Sequence, residues 1–476
     1  MVDEARVRAV ANRLGIALEG DEAAAYADAA GEMRAQFGAL QPAEPADEAA
    51  RAVETGGDEY NAVRHRFDLP ETDGDLGDLA VGVKDNIAVA GVPMHCGSAA
   101  LSFTPDYHAT VVSRLHEAGA AVTATTNMDE FAYFTTGETC AFGPVENPRA
   151  EGRVPGGSSS GSAAAVAAGD LDAALGSDTG GSVRIPAAFC GIVGLKPTHR
   201  AVPRFGFADL APSLDCIGPL APDVETAARV FETVAGPHPR DPSSLTNPEP
   251  GDATAGLGES AEGRRVGVVE PAMARADETV AAAVEGAVEA LADRGVETER
   301  VSLPQYDAAS LAGLVVAGTE FADLALSAGQ VLGIGTGYSE SWREAMQAAV
   351  RSPDLGEHVR EQVLTNGALA AEGRSHYVAA RNLGSAFTAT VDERLATYDA
   401  LVAPTTPMTP PAFGDVTTDE DFARTVANTV PFNVTGHPAL TVPAGDDGDP
   451  VGVQFVGRRH DERTLFSLGA SLEAAT

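Results

Sequence analysis

From Leu79 onward the chain alternates short apolar runs with Ala-rich stretches whose apolar positions recur at helical spacing, and this alternation restricts the fold more than any other feature. Leu79-Ala-Val-Gly-Val-Lys-Asp-Asn reads as a strand running into a loop, Thr110 to Ala118 as a helix, and Ala120 to Ala124 as the next strand. Farther on, Val266-Gly-Val-Val is strand-like, Val280, Val284, Val288 and Leu291 mark one face of a helix, and Val296 to Leu303 is a further strand. Such alternation implies an α/β fold with a mixed, largely parallel sheet covered by helices. Ahead of it, apolar residues at Val7, Val10 and Leu14, and again at Tyr26, Met33, Phe37 and Leu40, predict two or three amphipathic helices. The expected organisation is a helical extension over residues 1–60 and one large domain over 61–476, with the Pro-, Asp-, Ser- and Gly-rich segment 236–263 as a surface linker.

Charge narrows the function. The 476 residues carry 69 Asp and Glu against 32 Lys and Arg, a formal charge of −37. A phosphate backbone has to be met by clusters of Lys and Arg, so the reading excludes nucleic acid as a partner, and an anionic membrane surface for the same reason. The start has no basic segment followed by an apolar one, and no run of about 18 apolar residues appears, so a soluble cytoplasmic protein is expected. Four cysteines, Cys96, Cys140, Cys190 and Cys216, form no Cys-x-x-Cys pair and are expected as buried thiols. The acid excess fits life in concentrated salt, where at about 1 M the Debye length is about 3 Å and like charges hardly repel. A GC-rich genome would explain scarce lysine but not the excess of acids.

Three elements carry chemistry. Lys84, in Val-Gly-Val-Lys84-Asp85-Asn86, is one of only two lysines, the other being Lys196. Lysine can lose its proton when desolvated and a guanidinium cannot, which suits a base; a structural ion pair, for instance with Asp85, explains it equally well at this point. The second element is Pro155-Gly156-Gly157-Ser158-Ser159-Ser160-Gly161-Ser162, opening an Ala-rich helix. It lacks the Gly-Lys-Ser/Thr ending of a phosphate loop and reads as backbone that comes close to a substrate. The third is Gly176-Ser177-Asp178-Thr179-Gly180-Gly181-Ser182-Val183-Arg184, in which two glycines before a serine allow a turn with converging N–H groups, as in an oxyanion hole.

Together these motifs resemble the amidase signature family. The similarity continues through Gly194-Leu195-Lys196-Pro197-Thr198, Ser213-Leu214-Asp215, Tyr398 to Thr405 and Pro431 to Pro438, so it runs from about residue 60 to the C-terminus. The resemblance implies a large mixed, twisted sheet with helices on both faces and a Ser–cis-Ser–Lys triad. Residue by residue the triad falls on Ser182 as nucleophile, Ser158 as the bridging serine after a cis peptide, and Lys84 as the ultimate base. Backbone N–H groups of Thr179, Gly180, Gly181 and Ser182 are then the oxyanion hole. Ser160 departs from the family, which has a third glycine there, and Thr125-Thr126 stand where a lysine is frequent.

Other reactive residues are expected to be structural. Asp178 and Arg184 should hold the turn as an ion pair, and Cys190 lies in an apolar run. His199 and His437 lack any Gly-x-Ser-x-Gly context for a Ser-His-Asp triad. Trp342 reads either as a border of the acyl pocket or as plain packing. No metal-ligand spacing occurs and no cofactor is implied. The resulting expectation is a stand-alone amidase that takes a small-molecule carboxylic acid amide to acid and ammonia, pairing with a second copy through its N-terminal helices. Its alternatives are the glutaminase (A) component of a tRNA-dependent amidotransferase and a non-catalytic scaffold. The amidotransferase component ranks second because Thr319-Glu-Phe-Ala-Asp-Leu-Ala-Leu stands where such proteins usually carry a Ser-Asn-Leu-Ala-Arg-Phe-Asp-Gly-like stretch.

Overall fold

The computed structural model describes residues 2–37, 47–248, 251–331, 339–445 and 448–475. The chain divides into two compact units, Met1–Pro45 and Ala46–Thr476.

The first unit holds the helices Glu4–Leu14 and Glu22–Phe37. Asp3 caps the first by accepting the Arg6 N–H at 2.9 Å, and Gly15, in the left-handed region at φ 68°, ends it. Ala11, Ala23 and Ala27 are buried, whereas Val10, Leu14, Tyr26, Met33 and Phe37 stay exposed. Leu40 lies outside the described residues.

The second unit is built on one sheet of twelve strands: β1 (Arg51–Thr55), β2 (Val63–Asp68), β3 (Ala80–Lys84), β4 (Ala121–Thr126), β5 (Ala173–Asp178), β6 (Val193–Lys196), β7 (Cys216–Ala221), β8 (Arg265–Val269), β9 (Glu297–Val301), β10 (Ala400–Pro404), β11 (Ala439–Pro443) and β12 (Gly452–Gly457). Their order is β1-β2-β4-β3-β5-β7-β6-β11-β12-β10-β8-β9. β3 runs parallel to β4 and β5, and β8 runs parallel to β9 and β10, while the other neighbours are antiparallel. The sheet is therefore mixed, but it is not largely parallel. Antiparallel contacts join its two parallel parts, because β5 pairs with β7, which lies farther along the chain and returns against it. β1 already belongs to this sheet, ahead of the boundary at residue 61 read from the sequence. Between residues 236 and 263 the described part contains one short 3-10 turn, Thr254–Gly258, and no strand.

Strand alternation distributes the core to both faces of the sheet. On β10, Ala400 and Val402 join one apolar cluster with Val230 and Phe231 of the helix Val224–Val234, Val284 of Glu278–Asp293 and Leu468 of Glu462–Glu473. Leu401 and Ala403 face the other way, against Tyr306 of the helix Tyr306–Leu326, Phe387 of Ser375–Leu395 and Phe432. Tyr306–Leu326 is long and apolar enough to cross a membrane by length and composition, yet 56% of its apolar window is buried inside the protein. It is the central helix of that second face.

Candidate active site

The C-terminal ends of β3 and β5, together with the Gly-Ser loop ahead of the helix Ser160–Ala167, bring the three motifs together. Lys84 is the last residue of β3 and fully buried; its Nζ lies 2.7 Å from Ser158 Oγ and 2.8 Å from Ser177 Oγ. Burial pushes its pKa down to about 7, against the opposing fields of Asp129, Asp178 and Asp215. The alternative ion pair with Asp85 does not form. That carboxyl instead accepts N–H bonds from His95 and Gly97, and burial pushes it up to about 7.

The Gly157–Ser158 peptide is cis. Glycine at 157 is required by space, because a Cβ there would run into the Asp129 carboxylate and the Thr136 backbone. Asp129, which sequence reasoning passed over, is buried and accepts N–H bonds from Gly137 and Thr139, while its own N–H donates to the Ser158 carbonyl at 3.2 Å. The loop is tied to the Ser182 segment by the Ser159 N–H, which donates to the Ser182 carbonyl at 3.2 Å. Ser160 is buried at the start of its helix with its side chain against Gly137. Thr126, the cross-strand partner of Lys84, bonds Ser162 Oγ at 2.7 Å.

Ser182 follows a turn anchored by Asp178. The Asp178 carboxylate accepts from the backbone N–H of Val183 at 3.2 Å and of Arg184 at 3.4 Å, and pairs with the Arg184 guanidinium at 2.8 and 3.0 Å. Burial alone would raise the Asp178 pKa; Arg184, Lys196 and Asn433 outweigh it and hold the group at about 2. Arg184 continues into Asn433 and Gln454, each at 2.6 Å, so the ion pair expected from sequence is one part of a satisfied buried network. Gly181 sits at φ 137°, and a Cβ there would collide with Thr429. Thr429 Oγ1 donates to the Gly180 carbonyl at 2.6 Å, and Thr179 Oγ1 donates to Asp215 at 2.5 Å, so both carbonyl and side chain of the turn are fixed. Among the described residues, no protein acceptor takes the N–H groups of Thr179, Gly180, Gly181 or Ser182.

Ser182 opens onto a cavity walled by Tyr133, Phe134, Leu210, Leu314, Phe422 and Val430, and none of its described lining residues carries a charge. No hydrogen bond joins Ser182 Oγ to Ser158 Oγ among the described residues. Lys84 and Ser158 are thus hydrogen-bonded, and Ser182 stands on the adjoining turn. Chemically the arrangement offers two serine hydroxyls, a buried amine whose pKa is pushed down to about 7, and a set of unengaged N–H groups.

The residues set aside as structural are so placed. All four cysteines are buried. His199 is half-buried with its Nε2 3.3 Å from the Pro212 carbonyl oxygen, and desolvation followed by Arg204 pushes its pKa down. His437 bonds Asp392 at 3.0 Å and is pushed down to about 4, first by burial and then by Arg459. Trp342 lines a separate apolar chamber with Asn86, Phe131, Phe321 and Met346, not the cavity at Ser182. Ser177 and Asn86 complete the surroundings of Lys84, with Asn86 Nδ2 3.2 Å from Ser177 Oγ. Ser177 belongs to the same glycine-rich motif as Ser182, but only its distance to Nζ reveals its part. Among the described residues no group of three His, Cys, Asp or Glu could hold a metal ion.

Comparison with known proteins extends this picture. The chain is 45% identical over 411 residues to the A component of the glutamyl-tRNA(Gln) amidotransferase of Natronomonas pharaonis, covering 85% of this chain and 97% of that one. It is 44% identical to the same component from Haloarcula marismortui, covering 84% and 96%. The crystal structure of the corresponding glutamyl-tRNA(Gln) amidotransferase component from Thermotoga maritima superposes with a TM-score of 0.74 at 33% identity, over 87% of this chain and 86% of that one.

These findings correct two expectations. Ranking a stand-alone amidase first gave one local stretch, Thr319–Leu326, more weight than similarity along the whole length. That stretch lies inside the helix Tyr306–Leu326. The exclusion of nucleic acid, and with it the picture of a self-sufficient enzyme or homodimer acting on a small amide alone, is overturned as well, since the relatives are components of an enzyme named for a tRNA. Net charge restricts what one chain can touch, and one component of an assembly can serve an RNA that another component holds. The family itself, with its C–N bond chemistry, hydrolytic or amidotransferring, is unaffected: the sequence model of the Amidase family matches residues 47–466, and the chain belongs to that family, the amidase signature enzymes.

Proposed function

We propose that this chain is the ammonia-releasing component of a tRNA-dependent amidotransferase, taking the side-chain amide of glutamine as its nitrogen donor. Similarity over almost the full length of such proteins carries this reading. In the proposed mechanism neutral Lys84 accepts a proton from Ser158, which takes the proton of Ser182 as that hydroxyl attacks the amide carbon. The oxyanion is received by N–H groups of the turn Thr179–Ser182. Ser158 returns a proton to the leaving nitrogen, ammonia departs, and water releases glutamate from the acyl-enzyme. The ammonia then attacks the side-chain carboxyl of glutamyl-tRNA(Gln), activated elsewhere in the assembly as an acyl phosphate at the expense of a nucleoside triphosphate, so that the C–N bond forms as phosphate leaves.

A cytoplasmic location accompanies this role. We also assign the protein to concentrated salt, on its charge of −37 and on relatives from Natronomonas pharaonis, Haloarcula marismortui and Halobacterium salinarum. Residues 1–45, rather than 1–60, are proposed as the extension, because β1 (Arg51–Thr55) is already paired in the sheet of the second unit and the Amidase match starts at residue 47. The test is ammonia release from glutamine in molar KCl, with and without candidate partner proteins, followed by conversion of glutamyl-tRNA(Gln) to glutaminyl-tRNA(Gln). Release from uncharged amides together with no glutaminase activity in any combination would overturn the proposal.

A further inference from the structure

The turn that carries Ser182 has two consecutive glycines, Gly180 and Gly181, and therefore no side chain at its centre by which it could be held. We infer that Asp215 is a positioning residue for this turn, tying it through Thr179 to the wall of the Ser182 cavity; the inference rests on the role proposed above for Ser182.

β7 pairs antiparallel with β5, with Cys216 opposite Asp178, and one further step along that register sets Asp215 opposite Thr179, just beyond the ends of both strands. The Asp215 carboxylate is fully buried, and its two oxygens serve different segments. Oδ1 accepts from Thr179 Oγ1 at 2.5 Å. Oδ2 accepts from the backbone N–H groups of Leu210 and Ala211, each at 2.9 Å. The Asp215 N–H closes that loop by donating to the Ala211 carbonyl at 2.9 Å. Thr179 and Leu210 both line the cavity onto which Ser182 opens. One planar carboxylate thus sets the spacing between the unengaged N–H groups of the turn and the Leu210 wall. In the proposed reaction these are the place where negative charge develops and a surface against which the acyl part of the substrate packs.

A plain ion pair does not account for Asp215. Arg204 Nη1 stands 3.8 Å from its Oδ2, but the same nitrogen donates to Asp209 at 2.5 Å, and the Arg204 backbone N–H goes to Asp241 at 2.8 Å. The short hydrogen bonds of Asp215 run instead to the turn and to the 210–211 segment. The other ties of the turn lie at or beyond the glycines: Thr429 holds the Gly180 carbonyl, and Asp178 holds the N–H groups of Val183 and Arg184. Thr179 is the last side chain ahead of the two glycines, so its hydroxyl is the tie on that side. A hydroxyl at 179 and a short carboxylate at 215 therefore belong together. Without the hydroxyl the turn keeps its distal ties but can shift at Thr179 and Gly180, and a displacement of about 1 Å at a reacting centre costs up to about 10² in rate.

Thr179→Val, which removes the hydroxyl and keeps the shape, and Thr179→Ser, which keeps the hydroxyl, test the inference in the full-length protein at high salt, under the conditions in which wild type releases ammonia. Circular dichroism reports folding, and ammonia-release kinetics give kcat and KM across pH. The expected result is a folded Thr179→Val with kcat lower by about tenfold or more and KM within about twofold. The rise of activity near pH 7 that belongs to Lys84 should stay in place, and Thr179→Ser should keep kcat within about threefold of wild type. Asp215→Ala, which releases the turn and Leu210 together, should lose at least as much in kcat and also raise KM. Wild-type kcat in a folded Thr179→Val would overturn the inference. So would a Thr179→Ser as impaired as Thr179→Val, which would place the effect in the packing of the methyl group. The Thr179 pair decides the matter even where Asp215→Ala fails to fold. Ser182→Ala separates the two levels: if it still releases ammonia, the parent reading falls; if it is inactive while Thr179→Val is unimpaired, only this inference does.

Discussion

Replacing Lys84 with arginine isolates the property on which the mechanism depends. With a pKa of about 7, roughly half of the Lys84 side chains are neutral at pH 7. At the ordinary lysine value the fraction would be about one in 3,000, and for a guanidinium about one in 300,000 or less. General-base catalysis contributes about 10²–10⁴ to a rate, so Lys84→Arg is expected to lower kcat by about that factor, or roughly 3–5 kcal/mol in the barrier. Arginine also has to fit where Nζ reaches Ser158 and Ser177, so Lys84→Met, which adds no bulk, serves as a control and should lose a similar factor. The assay is ammonia release between pH 5.5 and 9.5. Wild-type activity should fall about tenfold per pH unit below about pH 7, and the residual activity of either variant should lack that limb. A Lys84→Arg enzyme with more than about a tenth of wild-type activity and the same limb would refute the neutral-amine mechanism.

The same buried amine costs stability. Its pKa is lower folded than unfolded, so wild-type stability should climb between about pH 7 and 10.5 and lack that contribution at lower pH. Lys84→Met should therefore melt above wild type at pH 6, with the gap closing by pH 10, which thermal midpoints will show. Arg184→Met removes the charged partner of the buried Asp178 and should cost about 3–5 kcal/mol in denaturant titrations. Gly181→Ala should abolish activity while the protein stays folded, since the new methyl group meets Thr429 and displaces the hydrogen bond to the Gly180 carbonyl. Finally, the thermal midpoint should rise steeply between about 0.1 and 2 M KCl as carboxylate repulsion is screened. Equal stability without salt would remove the halophilic assignment.

Much of the molecule is written locally. Helix and strand positions such as Glu278–Asp293 and Ala121–Thr126 follow from the spacing of apolar residues, because side chains return to one face at a fixed period. Lys84, Ser158 and Ser182 stand out for a similar reason: an unusual residue or glycine pattern marks each within a few positions. What each of them touches depends on the tertiary structure. Lys84 meets Ser158 across 74 residues and Ser177 across 93, and Asn433 reaches Asp178 across 255. No local pattern encodes such pairs, so Ser177, Asp129, Asn433 and Thr429 were invisible until the chain was folded. Strand order was equally hidden, since an apolar run does not say which neighbour it pairs with; hence the expectation of a largely parallel sheet gave way to β7 returning against β5. Composition left two lysines where arginine was otherwise used. Only the folded sheet set both at one end of the strands on either side of Asp178, and buried the Lys84 amine deeply enough to push its pKa down to about 7.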